Sequence, residues 1–142
     1  FVDLNFNLYV ADAVNNRIQR FTADQLTATT VAGHGIPNGL NLSIPTDVIV
    51  DDSSCLYIAD NNNNRIIRVT PTEYQCLVGC SRVAGSASDQ IRTAFALRFD
   101  SYGNLYVADE FNNRIQKLTL TYNCEGRSLL LVSSAAMDRL SF

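Results

Sequence analysis

Three aspartate–arginine pairs recur along this chain at one spacing: Asp12 with Arg17, Asp60 with Arg65, and Asp109 with Arg114. A carboxylate and a guanidinium at this distance can serve acid–base chemistry or form an ion pair. Recurrence favours the ion pair. A catalytic centre is built from differing residues around one point, whereas a pair repeated in every unit belongs to the scaffold. At a hairpin mouth the Asp can cap turn amides, and the Arg can bond carbonyls or a neighbouring unit. Asparagines keep the same rhythm: Asn15 and Asn16, Asn63 and Asn64, Asn112 and Asn113. Asn tolerates left-handed backbone and bonds its own main chain, so each pair can turn one strand into the next.

Other reactive residues are sparse. His34 is the one histidine, and it has neither a repeat partner nor a matching Cys ligand. It reads as a loop residue, and a metal site of several histidines is excluded. The adjacent carboxylates Asp51-Asp52 and Asp109-Glu110 point to opposite faces if they lie on strands, so neither forms a bidentate acid/base or calcium arrangement. No phosphate loop, nucleotide fingerprint or Gly-x-Ser-x-Gly elbow is present. No catalytic residue, metal or cofactor is therefore assigned. Cys76 and Cys80 enclose a Gly-containing tip and can close a small disulfide, which leans towards an oxidising compartment. Cys55 is read as a buried free thiol, and Cys124 is left over. Asn41-Leu42-Ser43 is an N-glycosylation acceptor triplet, in accord with a secreted chain.

The chain has 142 residues, 46% hydrophobic and 18% charged, enough to bury the core of one domain. Its net charge is −3, and ten of the eleven basic residues are Arg, with Lys117 the exception. That balance disfavours nucleic acid as a partner. Arg20, Arg68 and Lys117 recur three residues after each paired Arg and read as stems covering apolar edges with heads in water. No apolar run approaches the roughly 18 residues of a membrane span.

The elements that hold these residues form a repeat. Asn7-Leu8-Tyr9-Val10-Ala11-Asp12 aligns without gaps with Cys55-Leu56-Tyr57-Ile58-Ala59-Asp60 and with Asn104-Leu105-Tyr106-Val107-Ala108-Asp109. The steps from Leu8 to Leu56 and from Leu56 to Leu105 are 48 and 49 residues. Asp3, Asp51 and Asp100 each precede the repeated Leu by five positions, and Tyr9, Tyr57 and Tyr106 form another equivalent set, expected to pack between units. Each unit reads as four short strands rich in β-branched and aromatic residues. The fourth is expected to end at Val31-Ala32-Gly33, Val83-Ala84-Gly85 and Val132-Ser133-Ser134, with Ser134 in place of the Gly. The cysteine tip then falls in an expansion between the third and fourth strands. Four strands per 40–50 residues describe a β-propeller blade. The expectation is an all-β fold of four-stranded antiparallel blades, with blade one over 1–44, blade two over 45–93 and blade three over 94–142.

The phrase Asn-Leu-Tyr-Val-Ala-Asp-x-x-Asn-Asn-Arg-Ile-Gln, with Pro45-Thr46-Asp47-Val48-Ile49-Val50-Asp51 before the second copy, resembles the NHL-repeat β-propeller signature. The resemblance covers all three units. It implies a ring of commonly six blades, so three are half of one. The chain is then an excerpt of a longer protein whose remaining blades cover its ends, or it pairs with a second copy.

The expected function is a non-catalytic extracellular or cell-surface interaction module. It would bind a protein, peptide or glycan through the loop face that carries Asn15, Asn16, His34, Asn63, Asn64, Asn112 and Asn113. Reduced cysteines would place it in the cytoplasm instead. The alternatives are part of a propeller lyase or hydrolase with its catalytic residues in other blades, and the recognition propeller of an NHL-type ubiquitin ligase or RNA regulator.

Overall fold

A computed structural model describes residues 1–34 and 40–120, together with the backbone of 130–135. Among the described residues, eleven strands form three antiparallel sheets. The first orders β1 (Leu8–Asp12), β2 (Arg17–Phe21) and β3 (Thr29–Gly33). The second orders β4 (Pro45–Val50), β5 (Leu56–Asp60), β6 (Arg65–Val69) and β7 (Tyr74–Val78). The third orders β8 (Ala94–Phe99), β9 (Leu105–Asp109), β10 (Arg114–Leu120) and β11 (Leu130–Ala135). Each strand pairs with its sequence neighbour, the meander of a propeller blade. In the first sheet the innermost strand is represented by the bridge Val2↔Leu8, in the register of Val50↔Leu56 and Phe99↔Leu105.

The registers repeat as closely as the sequence does. Asp12 faces Arg17, Asp60 faces Arg65, and Asp109 faces Arg114. Between each pair lies one 3-10 turn, closed by Asn16, Asn64 or Asn113 in the left-handed region at φ of 53°, 50° and 50°. Asn suits these three positions because its short amide tolerates positive φ.

Among the described residues, two apolar cores lie between the sheets. Tyr9, Ile18 and Ala32 of the first sheet meet Val48, Val50, Leu56, Ile58, Ile67 and Val69 of the second. On its other face the second sheet presents Ile49, Tyr57, Ala59, Ile66 and Leu77 to Ala94, Leu97, Leu105, Val107 and Leu118 of the third. Strand alternation divides each central strand between the two cores. Consequently β5 and β6 are buried at every position. The inner edges of the second and third sheets are also stitched together. Asp47 Oδ2 accepts from Leu97 N at 2.8 Å, and Thr46 Oγ1 donates to Ala94 O at 2.6 Å.

The fourth strand of the second unit departs from expectation. It is Tyr74–Val78, and Val83-Ala84-Gly85 lies in the connection that follows. The pairing Ile66↔Val78 matches Ile18↔Ala32, so Gly79 takes the place of Gly33. Tyr74-Gln75-Cys76-Leu77-Val78 is the apolar run that can fill the core against β6, and the extra residues fall after the strand. The third unit shifts too. Ile115 pairs with Ala135, and Ser134 pairs with Gln116. Ala135 therefore holds the place of Ala32, and Ser134 does not hold that of Gly33.

Cys76 and Cys80 are joined in a disulfide with Cα atoms 5.7 Å apart. It links the middle of β7 to the start of the connection rather than closing a tip between third and fourth strands. The reading of Cys55 as a free thiol is corrected: it is fully buried and disulfide-bonded. Cys124 lies outside the described residues. Among the described residues no helix is long and apolar enough to cross a membrane.

Gly33 and Gly79 have φ of +88° and +73°, and a Cβ on either would run into the carbonyl oxygen of Asn16 or Asn64. Gly103 has φ of +80° but nothing within 4 Å. In the full-length protein, Gly79→Ala should lower stability by about 2–4 kcal/mol, and Gly103→Ala by about 1 kcal/mol. Urea unfolding of the two variants checks the order. Equal losses would mean that the approach to Asn64 carries no energy.

Candidate functional site

The turns between second and third strands and the connections between sheets meet on one face. Each Asp–Arg pair stands where they meet. Asp60 Oδ2 accepts from Arg65 Nε at 2.7 Å and from Asn63 Nδ2 at 2.9 Å, while its Oδ1 accepts from Ser43 N at 2.7 Å. Arg65 Nη2 then donates to Asn41 O at 2.8 Å. The unit one–unit two connection is thus held by the turn of unit two. Asp109 repeats the pattern. Its Oδ2 accepts from Arg114 Nε, Asn112 Nδ2 and Gln116 Nε2 at 2.7, 2.8 and 3.0 Å, and its Oδ1 from Arg92 N at 2.8 Å. Arg114 donates onward to the carbonyls of Ser86, Ala87 and Gln90 at 2.6, 2.9 and 2.8 Å.

Burial sets the energetic weight of each pair. Asp60 and Arg65 side chains are 0% and 5% exposed, whereas Asp12 and Arg17 are 25% and 35% exposed. The hydrogen bonds from Arg17 and Asn15 hold the Asp12 carboxyl below the usual carboxylate range. The Asp60–Arg65 charges have lost their water and depend on each other.

Most candidate asparagines of this face are committed to the same lacing by their side chains, and Asn113 by its backbone. Asn15 Nδ2 donates to Asp12 Oδ1 at 2.8 Å, and Asn16 Oδ1 accepts from Ile44 N at 2.8 Å. Asn64 Oδ1 faces Thr93 N at 3.5 Å, the limit of a bond. Asn63 and Asn112 serve Asp60 and Asp109, and Asn113 N donates to Glu110 O at 2.9 Å. His34 is exposed, with its N–H donating to Asn16 O at 3.0 Å. It borders a cavity of about 370 Å³ with Val14, Asn15, Asn16, Asn41 and Leu42.

Residues passed over in the sequence stand furthest out. The middle residues of the three 3-10 turns are Val14, Asn62 and Phe111. Val14 is 90% exposed and Phe111 62%. The Arg92 guanidinium lies over the Phe111 ring at 5.8 Å. These positions differ from copy to copy, whereas the Asp, Asn and Arg that lace each turn recur; Asn62 also donates from its amide to Ser43 Oγ at 2.9 Å. That contrast was the available signal, because a reading guided by recurrence selects the scaffold.

The opposite face carries the Asp3, Asp51 and Asp100 turns. Asp51 Oδ1 accepts from Ser53 N and Cys55 N, both at 2.9 Å, and Asp100 Oδ1 from Tyr102 N and Asn104 N, also at 2.9 Å. A cavity of about 550 Å³ opens there, lined by Asp51, Asp52, Tyr57, Phe99 and Asp100 among others. Tyr57 packs edge-on against Phe99 with centroids 5.0 Å apart, and its hydroxyl donates to Asp51 Oδ2 at 3.1 Å. Burial first, then the Asp51 charge, pushes its pKa from the ordinary 10 up to about 12. Of the recurrent cations, Arg68 is 5% exposed and donates to Gln75 Oε1 at 2.8 Å. Lys117 Nζ lies 5.7 Å from the Tyr106 ring centroid. Among the described residues no group of three or more His, Cys, Asp or Glu is placed to hold a metal ion.

Several solved structures share this fold. A streptogramin B lyase aligns with a TM-score of 0.61 at 12% identity, over 91% of this chain and 38% of that one. Two structures of virginiamycin B lyase from Staphylococcus aureus align at 0.61 and 14% identity, over 92% of this chain and 39% of theirs. One is a catalytically inactive variant with quinupristin, the other the selenomethionine-substituted protein. The chain therefore spans less than two fifths of the neighbours it matches, and it is a partial β-propeller. No family model matches it. No curated protein matches it either.

Two outcomes follow. Asp60→Asn should destabilise by about 3–5 kcal/mol, since it strands the buried Arg65, and Asp12→Asn far less, since both partners reach water. Thermal unfolding of both variants checks this, and a loss no larger at position 60 would sink it. For Tyr57, the raised folded pKa keeps its stabilising contribution fully present below pH 10, and the contribution is lost as pH rises through about 12. Tyr57→Phe should flatten the alkaline fall in stability, measured by urea unfolding from pH 9 upwards.

Proposed function

We propose that this chain is part of an NHL-type propeller acting outside the cell as a non-catalytic interaction module. The face of 3-10 turns and connections would bind a protein, peptide or glycan. One observation carries the reading: the exposed tips of the 3-10 turns differ from copy to copy, on a frame whose repeated residues bond each other. Val14, Asn62 and Phe111 stand on a rigid polar lattice, the arrangement in which loops carry recognition. An exposed aromatic beside an Arg, as at Phe111 and Arg92, is the composition of an interface anchor. The disulfide between Cys76 and Cys80, and that of Cys55, support an oxidising compartment.

The test uses the full-length protein against arrays of secreted proteins, peptides and glycans. Phe111→Ala should weaken binding of the ligand so found at least tenfold, about 1.4 kcal/mol, with unfolding unchanged. Turnover of a lactone or peptidyl substrate by the full-length protein would overturn the reading and favour a propeller lyase, the activity named for the structural neighbours.

A further inference from the structure

Asn41-Leu42-Ser43 is the one Asn-x-Ser/Thr triplet in the sequence, and neither Leu42 nor the following Ile44 is Pro. It lies in the connection between the first two sheets. Leu42 is 6% exposed and belongs to the core between them, whereas Asn41 on its outer side is exposed. The backbone of Asn41 is fixed, since its carbonyl accepts from Arg65 Nη2 at 2.8 Å and from Asn63 Nδ2 at 3.2 Å. Its side-chain amide makes no hydrogen bond among the described residues. That separates it from Asn15, Asn16, Asn62, Asn63 and Asn112, whose amides all lace the turns.

We propose that Asn41 carries an N-linked glycan. The donor class is an oligosaccharide on a polyprenyl diphosphate. The bond from sugar C1 to the diphosphate oxygen breaks, C1 bonds Asn41 Nδ2, the amide gives up one proton, and the polyprenyl diphosphate leaves. Transfer takes place in the compartment where the Cys76–Cys80 disulfide forms, so this inference shares the extracellular part of the reading above. In the folded chain the glycan projects from the rim of the cavity shared with Val14 and His34. It would leave the Phe111–Arg92 side of the same face open.

Full-length protein from its own cells, digested and mapped by mass spectrometry before and after peptide N-glycosidase, reads the site directly. The expected result is a peptide containing Asn41 that bears hexose and N-acetylhexosamine mass. Release by the glycosidase should convert the Asn41 amide to a carboxylate. Asn41→Gln should abolish the mass without changing unfolding, because among the described residues only the backbone of Asn41 is bonded, and Ser43→Thr should retain it. A bare Asn41 overturns the proposal. If Cys76 and Cys80 are disulfide-bonded in that bare protein, the extracellular reading survives and only the glycan fails. If they are reduced, both fail.

Discussion

A four-stranded sheet with apolar side chains on both faces is stable only when both faces are covered, and this constraint organises the chain. The middle sheet satisfies it. Val48, Leu56 and Ile58 enter one core, and Ile49, Tyr57 and Ala59 enter the other. The same phrase, Leu-Tyr-Val/Ile-Ala-Asp, has a different fate in each copy. Leu56 and Leu105 are 6% and 0% exposed, but Leu8 is 42% exposed because nothing among the described residues covers the outer face of the first sheet. At about 25 cal/mol per Å², that uncovered face forgoes the main stabilising term available to a blade. The sheets are therefore stable as a stack, and each depends on its neighbours.

Stacking alone fixes neither the spacing nor the tilt of the blades. The Asp–Arg pairs and the left-handed asparagines do so, by tying each turn to a connection. Asp60 and Arg65 together take hold of Asn41 and Ser43; Asp109 and Arg114 take hold of 86–92. Gly33 and Gly79 let the connections leave against the carbonyls of Asn16 and Asn64. Two ionised groups are expensive to bury, and here the Asp60 and Asp109 carboxylates each accept from several donors, which offsets that cost. The result is a face whose backbone is held in place and whose tips are free to vary.

That division bears on function. The chemistry-bearing residues that recur are used up in holding the frame, so their reactivity is turned inward. What remains for contact with a partner is the exposed Val14 and Phe111 side chains at the turn tips, together with the Asn41 amide on the connection. Repeat proteins use their surfaces in this way, with function carried by departures from the repeat.

Much of this was legible in the residues. A period of 48 and 49, β-rich runs and paired asparagines are local signals, and they determined blade-like sheets, the hairpin registers and the left-handed turn positions. Proximity in sequence made the Cys76–Cys80 bond readable too. The end of the fourth strand was not legible, because Val-Ala-Gly at 83–85 matches the first copy in letters while Tyr74–Val78 matches it in packing. Cys55 misled for a related reason: a buried cysteine is indistinguishable from a small apolar residue until its partner is brought near in space. Sequence by itself determined the unit, because a blade is made by neighbours along the chain. Tertiary structure alone decided which face of each unit is covered, which ion pair is dry and which asparagine keeps its amide, because those depend on what the adjacent blade places against it.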